Sequence, residues 1–241
     1  WRPPDPHHYT ERGTIDWPSV RASLAGQRER GELRNGYGER LFDRLYALRG
    51  FENLMLDFAE QRPELDRLVE ILTEHELTLT RLWLEAGVDV MHYHTDIGTQ
   101  RGLMIHPDDF RRTIKPMFAT LFQTCRQAGV HVSLSSDGNL LSIVDDLIEC
   151  GVSLHDPQLR ANTLEGIRRA YRGRLCINLD LDRQGFPSMQ PADMRAQVRQ
   201  AVDELALPEG GLMLLAQFYG NDIPLNVIAA CMEAMEDYCL S

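Results

Sequence analysis

The feature that most constrains this chain is an alternation in which six short apolar stretches are each followed by one or more longer segments of helical periodicity. The short stretches are Glu32–Tyr37, Val88–His94, Val130–Ser135, Val152–His155, Arg174–Leu179 and Gly211–Ala216. The helical segments are Glu39–Arg49, Phe51–Gln61, Pro63–Ala86, Pro107–Ala128, Asn139–Gly151, Thr163–Tyr171, Pro191–Leu205 and Pro224–Tyr238. In the clearest of them Phe110, Ile114, Phe118, Leu121, Phe122 and Cys125 recur every three or four residues and bury one face. Pro107 suits its first turn, and Asp108 and Asp109 complement the positive end of its dipole.

A helix between two strands is a crossover, and crossovers make the strands parallel. With no hairpin signal between the six strands, the pattern predicts an α/β fold, a (βα)8 TIM-type barrel occupying residues 1–241 as one domain. The alternative is an open doubly wound sheet, but the GxGxxG fingerprint that would favour it is absent from the sequence. The opening "WRPPDPHHYTERGTIDWPS" is proline-rich with little apolar pattern and reads as a surface segment. Because the chain starts at Trp1, the expectation is that the first units of the barrel lie upstream.

Composition narrows the partners. A net charge of -11 with Lys115 as the one lysine leaves no basic stripe for a phosphate backbone, which argues against nucleic acid. No apolar run approaches the ~20 residues that cross a bilayer, so a cytoplasmic protein is expected. Cys125, Cys150, Cys176, Cys231 and Cys239 are odd in number and form no CxxC pair, the pattern of reduced thiols.

In a barrel of this kind the chemistry sits where each strand runs into its following loop. That rule selects "HYHTDIGTQRG", "SLSSDGN", "LHDPQ", "NLDLDRQ" and "LAQFYGND". A period of two puts His92, His94 and Asp96 on one strand face, a set able to hold a divalent metal with open positions. The plainer reading, which we prefer, makes the two histidines hydrogen-bonded lining and leaves Asp96 as the functional group. Ser133 and Ser135 share a face, and Asp137-Gly138-Asn139 opens the next helix either as an anion-binding turn or as an ordinary cap. Asp180 and Asp182 alternate onto one face, where crowded carboxylates serve as acid and base or simply as a solvated acidic loop. No GxSxG elbow, HExxH or P-loop is present.

Five pieces, "LFDRLYALRGFENLMLDFAEQRPEL", "TDIGTQRGLMIHPDDFRRTIKP", "SSDGNLLSIVDDLIECGVSLHDPQ", "DLDRQ" and "IPLNVIAACMEAMEDY", taken in this order, resemble the uroporphyrinogen decarboxylase superfamily, which includes corrinoid-linked methyltransferases. The resemblance implies a (βα)8 barrel and an enzyme. It also implies a zinc site in the methyltransferase branch, whose ligand positions correspond here to Ser135, Asp137 and Gln217; serine and glutamine are poor zinc ligands. In the decarboxylase branch the resemblance aligns "DSWAG" with "DIGTQ", placing Ile97 at the serine, and its arginine-rich propionate-binding motif has no counterpart in this chain.

The expectation is methyl transfer linked to a corrinoid or a small methylated substrate, with Asp96 and Asp137 catalytic and Gln100, Arg101, Ser135, Asn139, Gln158, Asp182 and Gln217 binding the substrate. A divalent metal would fall to His92 and His94, and a corrinoid protein would be the partner. Decarboxylation of a porphyrinogen side chain is the alternative, and a non-catalytic relative that binds without turnover is a third reading. Arg101 and Arg183 are the only arginines in the five loops, which is thin for a substrate bearing many carboxylates and favours methyl transfer.

Overall fold

A computed structural model describes residues 2–219 and 221–239 of the chain. Its parallel sheet consists of β1 (Asn35–Arg40), β2 (Val90–His94), β3 (His131–Ser135), β4 (Leu154–His155), β5 (Cys176–Asp180) and β6 (Leu212–Leu215), each hydrogen-bonded to the next in chain order. A doubly wound sheet reverses its strand order at a switch point; this sheet never does, and it follows the TIM-type barrel topology. Among the described residues β1 and β6 form its two edges.

The two faces of the sheet differ as period-two alternation requires. Met91, Tyr93, Val132, Leu134, Ile177 and Leu179 are at most 1% exposed and face the helices. The Tyr93 ring packs 5.0 Å from Phe122, and its hydroxyl meets Thr80 Oγ1 at 2.7 Å, so this buried phenol keeps a polar partner. The opposite face is polar: His92 pairs in register with Ser133, and His94 with Ser135. The greasy layer therefore lies between sheet and helices, and the interior of the barrel is left for polar groups.

Helix caps follow the sequence. The longest helix, Pro63–Ala86, starts on Pro63 and stops at Gly87, whose φ of 91° suits a residue without Cβ. The predicted Pro107–Ala128 helix is interrupted: a π segment, Phe110–Ile114, separates Pro107–Asp109 from Lys115–Gln127. Pro116 explains it, having no N–H to give to Arg112 and a ring that crowds that carbonyl.

Three further differences have local causes. The first strand begins at Asn35 rather than Glu32, because Arg34 is held beside Asp89 by contacts of 2.9 and 2.5 Å. The segment expected as a helix from Asn139 starts with a 3-10 turn at Leu141, since the Asn139 side chain takes the Leu141 N–H at 3.1 Å. Helix Trp17–Glu29 was not expected; it buries only Trp17 and Leu24, too sparse a stripe to read, and Trp17 docks edge-on to Trp83 at 5.1 Å. Among the described residues no helix is long and apolar enough to cross a membrane. Trp1 and the Cys239 side chain lie outside the described residues, whereas Cys125, Cys150, Cys176 and Cys231 are free thiols.

Candidate active site

At the carboxyl end of β2 the chain bends inward at Asp96. Its backbone N–H donates to Asp43 Oδ1 at 2.9 Å, and its Oδ1 accepts the Asp137 N–H at 3.0 Å. Asp43 is 4% exposed and also accepts the Tyr46 hydroxyl at 3.0 Å; burial raises its carboxyl and pushes the Tyr46 phenol up to about 12. The loops after β2 and β3 are packed together through two glycines. A Cβ on Gly138 would meet Gly98 backbone at 2.4 Å, and one on Gly98 would meet the Asp137 carbonyl at 2.6 Å. The Asn139 N–H then reaches the Thr99 carbonyl at 2.7 Å. The glycines of "DIGTQ" and "SSDGN" thus clamp one loop onto the other and fix where Asp96 and Asp137 stand.

The next two strands supply two further carboxylates. Asp156, after β4, accepts the Ser135 hydroxyl at 2.6 Å and the Ser136 N–H at 3.2 Å, yet its recessed position pushes its carboxyl up to about 7. Asp180 closes β5 and is 4% exposed; burial, partly offset by Arg183, pushes it up to about 6. One guanidinium, Arg183, gathers the rim: it lies 3.2 Å from Asp137 Oδ2, 3.4 Å from Asp180 Oδ2, and donates to Gln217 Oε1. Four carboxylates from successive strand ends, Asp96, Asp137, Asp156 and Asp180, therefore share one rim with a single bridging arginine.

The other predicted residues divide. Gln158 is buried and takes the Gly138 N–H at 2.9 Å, so it braces the loop. Asn139 caps Leu141 and donates to the Ala161 carbonyl at 2.9 Å. Asp182 turns away from Asp180, because the strand ends there, and forms a bidentate pair with Arg160 at 2.7 and 2.8 Å. Gln100 is exposed and lines a small cleft with Gln158, Arg160, Asp180 and Arg183. Arg101 is exposed, with no ion pair for its guanidinium among the described residues. A concavity of about 450 Å³ lies elsewhere, between helices Pro63–Ala86 and Lys115–Gln127.

His92 and His94 do share the face of Asp96. His92 Nε2 meets Asn35 Oδ1 at 2.8 Å and its ring stacks 5.5 Å from Tyr37, while His94 is exposed. Lost solvation around the rings, with the nearby Arg12 charge adding to it, lowers the pKa of both imidazoles. Their ligand atoms do not gather with Asp96 around a common point; among the described residues such a gathering occurs at Glu39, His75 and Glu76.

The pattern of the uroporphyrinogen decarboxylase (URO-D) family matches residues 44–238. The chain belongs to the URO-D family. A uroporphyrinogen decarboxylase from Thermus thermophilus is 35% identical over 86 residues, which are 35% of this chain and 24% of that protein. A methyltransferase from Methanosarcina mazei superposes with a TM-score of 0.67 at 18% identity, covering 92% of this chain and 64% of the other. The chain thus matches less than two thirds of the length of either relative, and the structural likeness is one of fold.

The rim of this URO-D member does not suit a zinc-thiolate centre. Ser135 is committed to Asp156, and Gln217 to Arg183. Cys125, Cys150 and Cys231 are buried among apolar side chains, and Cys176 opens β5 at the end opposite the rim. Asp156, Asp180 and Arg183 lie in loops that sequence reasoning selected without being assigned to the site, and Asp43, beside the rim, was not singled out at all. Asp43 lies in "LFDRLY", in the first turn of a helix with no polar strand end to mark it. Asp156 and Asp180 carried a usable signal, since each stands at or just past the last residue of an apolar strand.

Proposed function

We propose that this URO-D-family chain is a methyltransferase that moves a methyl group from a small neutral or cationic methylated substrate to a corrinoid delivered by a partner protein. The observation that carries the reading is the four-carboxylate rim, in which Arg183 bridges Asp137 and Asp180 and Asp96 accepts the Asp137 N–H. Such a rim attracts a cation or a polar neutral molecule and repels a substrate bearing several carboxylates. Asp156 supplies the acid. The bond between methyl carbon and its nitrogen or oxygen breaks with the electron pair staying on the heteroatom, which takes the Asp156 proton. The acceptor's electron pair forms the new bond to the methyl carbon, and the Asp156 carboxylate then regains a proton from solvent. Asp96 and Asp137, held together through the Asp137 N–H, orient the substrate at the rim with Gln100.

Decarboxylation of a porphyrinogen side chain is the second reading, favoured by the 35% identity to the Thermus decarboxylase. There Asp156 would protonate the pyrrole carbon, and Arg101 would hold a carboxylate. The test is to offer the protein methylated amines and methyl ethers with a reduced corrinoid, and separately uroporphyrinogen. Corrinoid methylation in the first assay, lost in Asp156→Asn, supports the proposal; carbon dioxide from the second with none of the first replaces it with decarboxylation. Binding of either without turnover would identify a non-catalytic relative.

A further inference from the structure

Away from the rim, Glu39, His75 and Glu76 are brought together where the edge strand β1 meets helix Pro63–Ala86. They are 4%, 5% and 0% exposed. Isolated, this is an expensive arrangement, because two carboxyl groups and an imidazole in a dry interior need a partner for every polar atom. Arg44 reaches Glu39 Oε2 at 3.1 Å, but it also faces Glu11 at 3.4 Å. The Glu39 N–H donates to Glu76 Oε2 at 3.1 Å. The remaining atoms are left over: Glu39 Oε1, Glu76 Oε1 and His75 Nε2 are buried without hydrogen-bond partners among the described residues, and His75 Nε2 stands 3.5 Å from Glu39 Oε2, too far for a good one.

We propose that Glu39, His75 and Glu76 form a binding site for one divalent first-row transition-metal ion of the zinc type. One ligand atom from each residue lies within 4.8 Å of the others. Ligand atoms around a tetrahedral zinc ion with bonds of 2.0–2.2 Å stand about 3.3 Å apart, so small side-chain rotations complete the set. One imidazole nitrogen and two carboxylates suit a borderline cation, and the two negative charges neutralise it. An entry route exists: a cavity of about 270 Å³, lined in part by Glu11, Arg12, Tyr37 and Glu39, opens beside the site. The ion would tie the edge strand to the long helix, with Arg44 holding the outer oxygen of Glu39.

The test uses the whole chain, stripped with a chelator and titrated with zinc chloride by calorimetry, with thermal unfolding followed in parallel. The expected result is saturation at one equivalent and a rise in the melting temperature of several degrees. Binding should weaken at least 100-fold in His75→Gln and Glu76→Gln and persist in the His92→Ala, His94→Ala double variant. Glu76→Gln keeps the side chain's volume and leaves an amide oxygen for the Glu39 N–H, so its metal-free form should melt close to the parent. X-ray absorption of the zinc-loaded parent protein, which needs no variant, should show nitrogen and oxygen neighbours only. Absence of saturable uptake, sulfur in the zinc shell, uptake unchanged in both single variants, or uptake lost in the histidine double variant would each overturn the assignment.

Discussion

The Ser135 hydroxyl donates to Asp156 Oδ2 at 2.6 Å across the neighbouring ends of β3 and β4. That bond and the Ser136 N–H favour the charged carboxylate, yet loss of solvation outweighs them and carries Asp156 up to about 7. An acid that is still half protonated at neutral pH is matched to proton donation.

If Asp156 is that acid, kcat should fall as pH rises through about 7, and Asp156→Asn should lower kcat by about 10² to 10⁴ while leaving KM within a few-fold. An alkaline limb that persists unchanged in Asp156→Asn would assign the titration to another group.

The same shift has a stability consequence whose sign is fixed by linkage. The folded-state value, about 7, lies above the ~3.9 of an unfolded aspartate, so the contribution is fully present below the unfolded value and is lost as pH rises through about 7. Asp180, at about 6, acts in the same direction. Urea midpoints between pH 4 and 8 should therefore decline less steeply in an Asp156→Asn, Asp180→Asn double variant than in the parent; equal slopes would contradict the burial argument.

Arg183 is one guanidinium with three partners, Asp137, Asp180 and Gln217. Lysine cannot reproduce that fork. Arg183→Lys should therefore resemble Arg183→Ala in activity, and in Arg183→Ala the Asp180 carboxyl, followed by carbon-13 NMR, should titrate above its value of about 6 because a neighbouring positive charge has gone. Full rescue by lysine would mean that charge alone, without geometry, is what the rim requires.

The fold was legible because burial and periodicity agree: every predicted strand returns within a few residues, and the residues that face the helices are those the alternation assigns. The site was half legible. Asp96 and Asp137 were found because their loops are polar and glycine-bearing, and the two glycines prove to be docking points rather than mere turns. Alternation put Asp180 and Asp182 on one face, but β5 ends at Asp180, and beyond it the chain turns Asp182 toward Arg160. Contacts made by Arg183 span 46 residues to Asp137 and depend on the parallel strands lining up their carboxyl ends, so local sequence carries no trace of them. Helix Trp17–Glu29 was missed for a related reason, because its stability comes from Trp83, far along the chain.

His155 is fully buried on the helix-facing side of β4, stacked 5.5 Å from Tyr171, and neither ring nitrogen has a hydrogen-bond partner among the described residues. Burial lowers it to about 3, so it is neutral in the folded protein. A base depressed from an unfolded value of ~6.5 contributes stability that is present above that value and lost as pH falls toward about 3. His155→Phe keeps the stack without the buried nitrogens, so it should be folded, about as stable as the parent at pH 7, and less sensitive to acid between pH 6 and 4. A variant as acid-sensitive as the parent would show that some other group sets the acid limb.

Gly138 carries the last prediction. Its φ of +90° already disfavours a side chain, and a Cβ there would stand 2.4 Å from Gly98 backbone, which has no flexible end to move aside. Gly138→Ala must therefore either strain its own backbone, at about 1–3 kcal/mol, or push the two loops apart. Separation would break the Asn139-to-Thr99 bond and the contact between the Asp137 N–H and Asp96. The expected outcome is a lower unfolding midpoint together with a loss of activity larger than that of Asn139→Ala, which removes only a cap and one brace. Activity retained in Gly138→Ala together with amide exchange showing the Asn139 and Asp137 N–H groups unprotected would separate the rim's geometry from its function and remove Asp96 and Asp137 from the site.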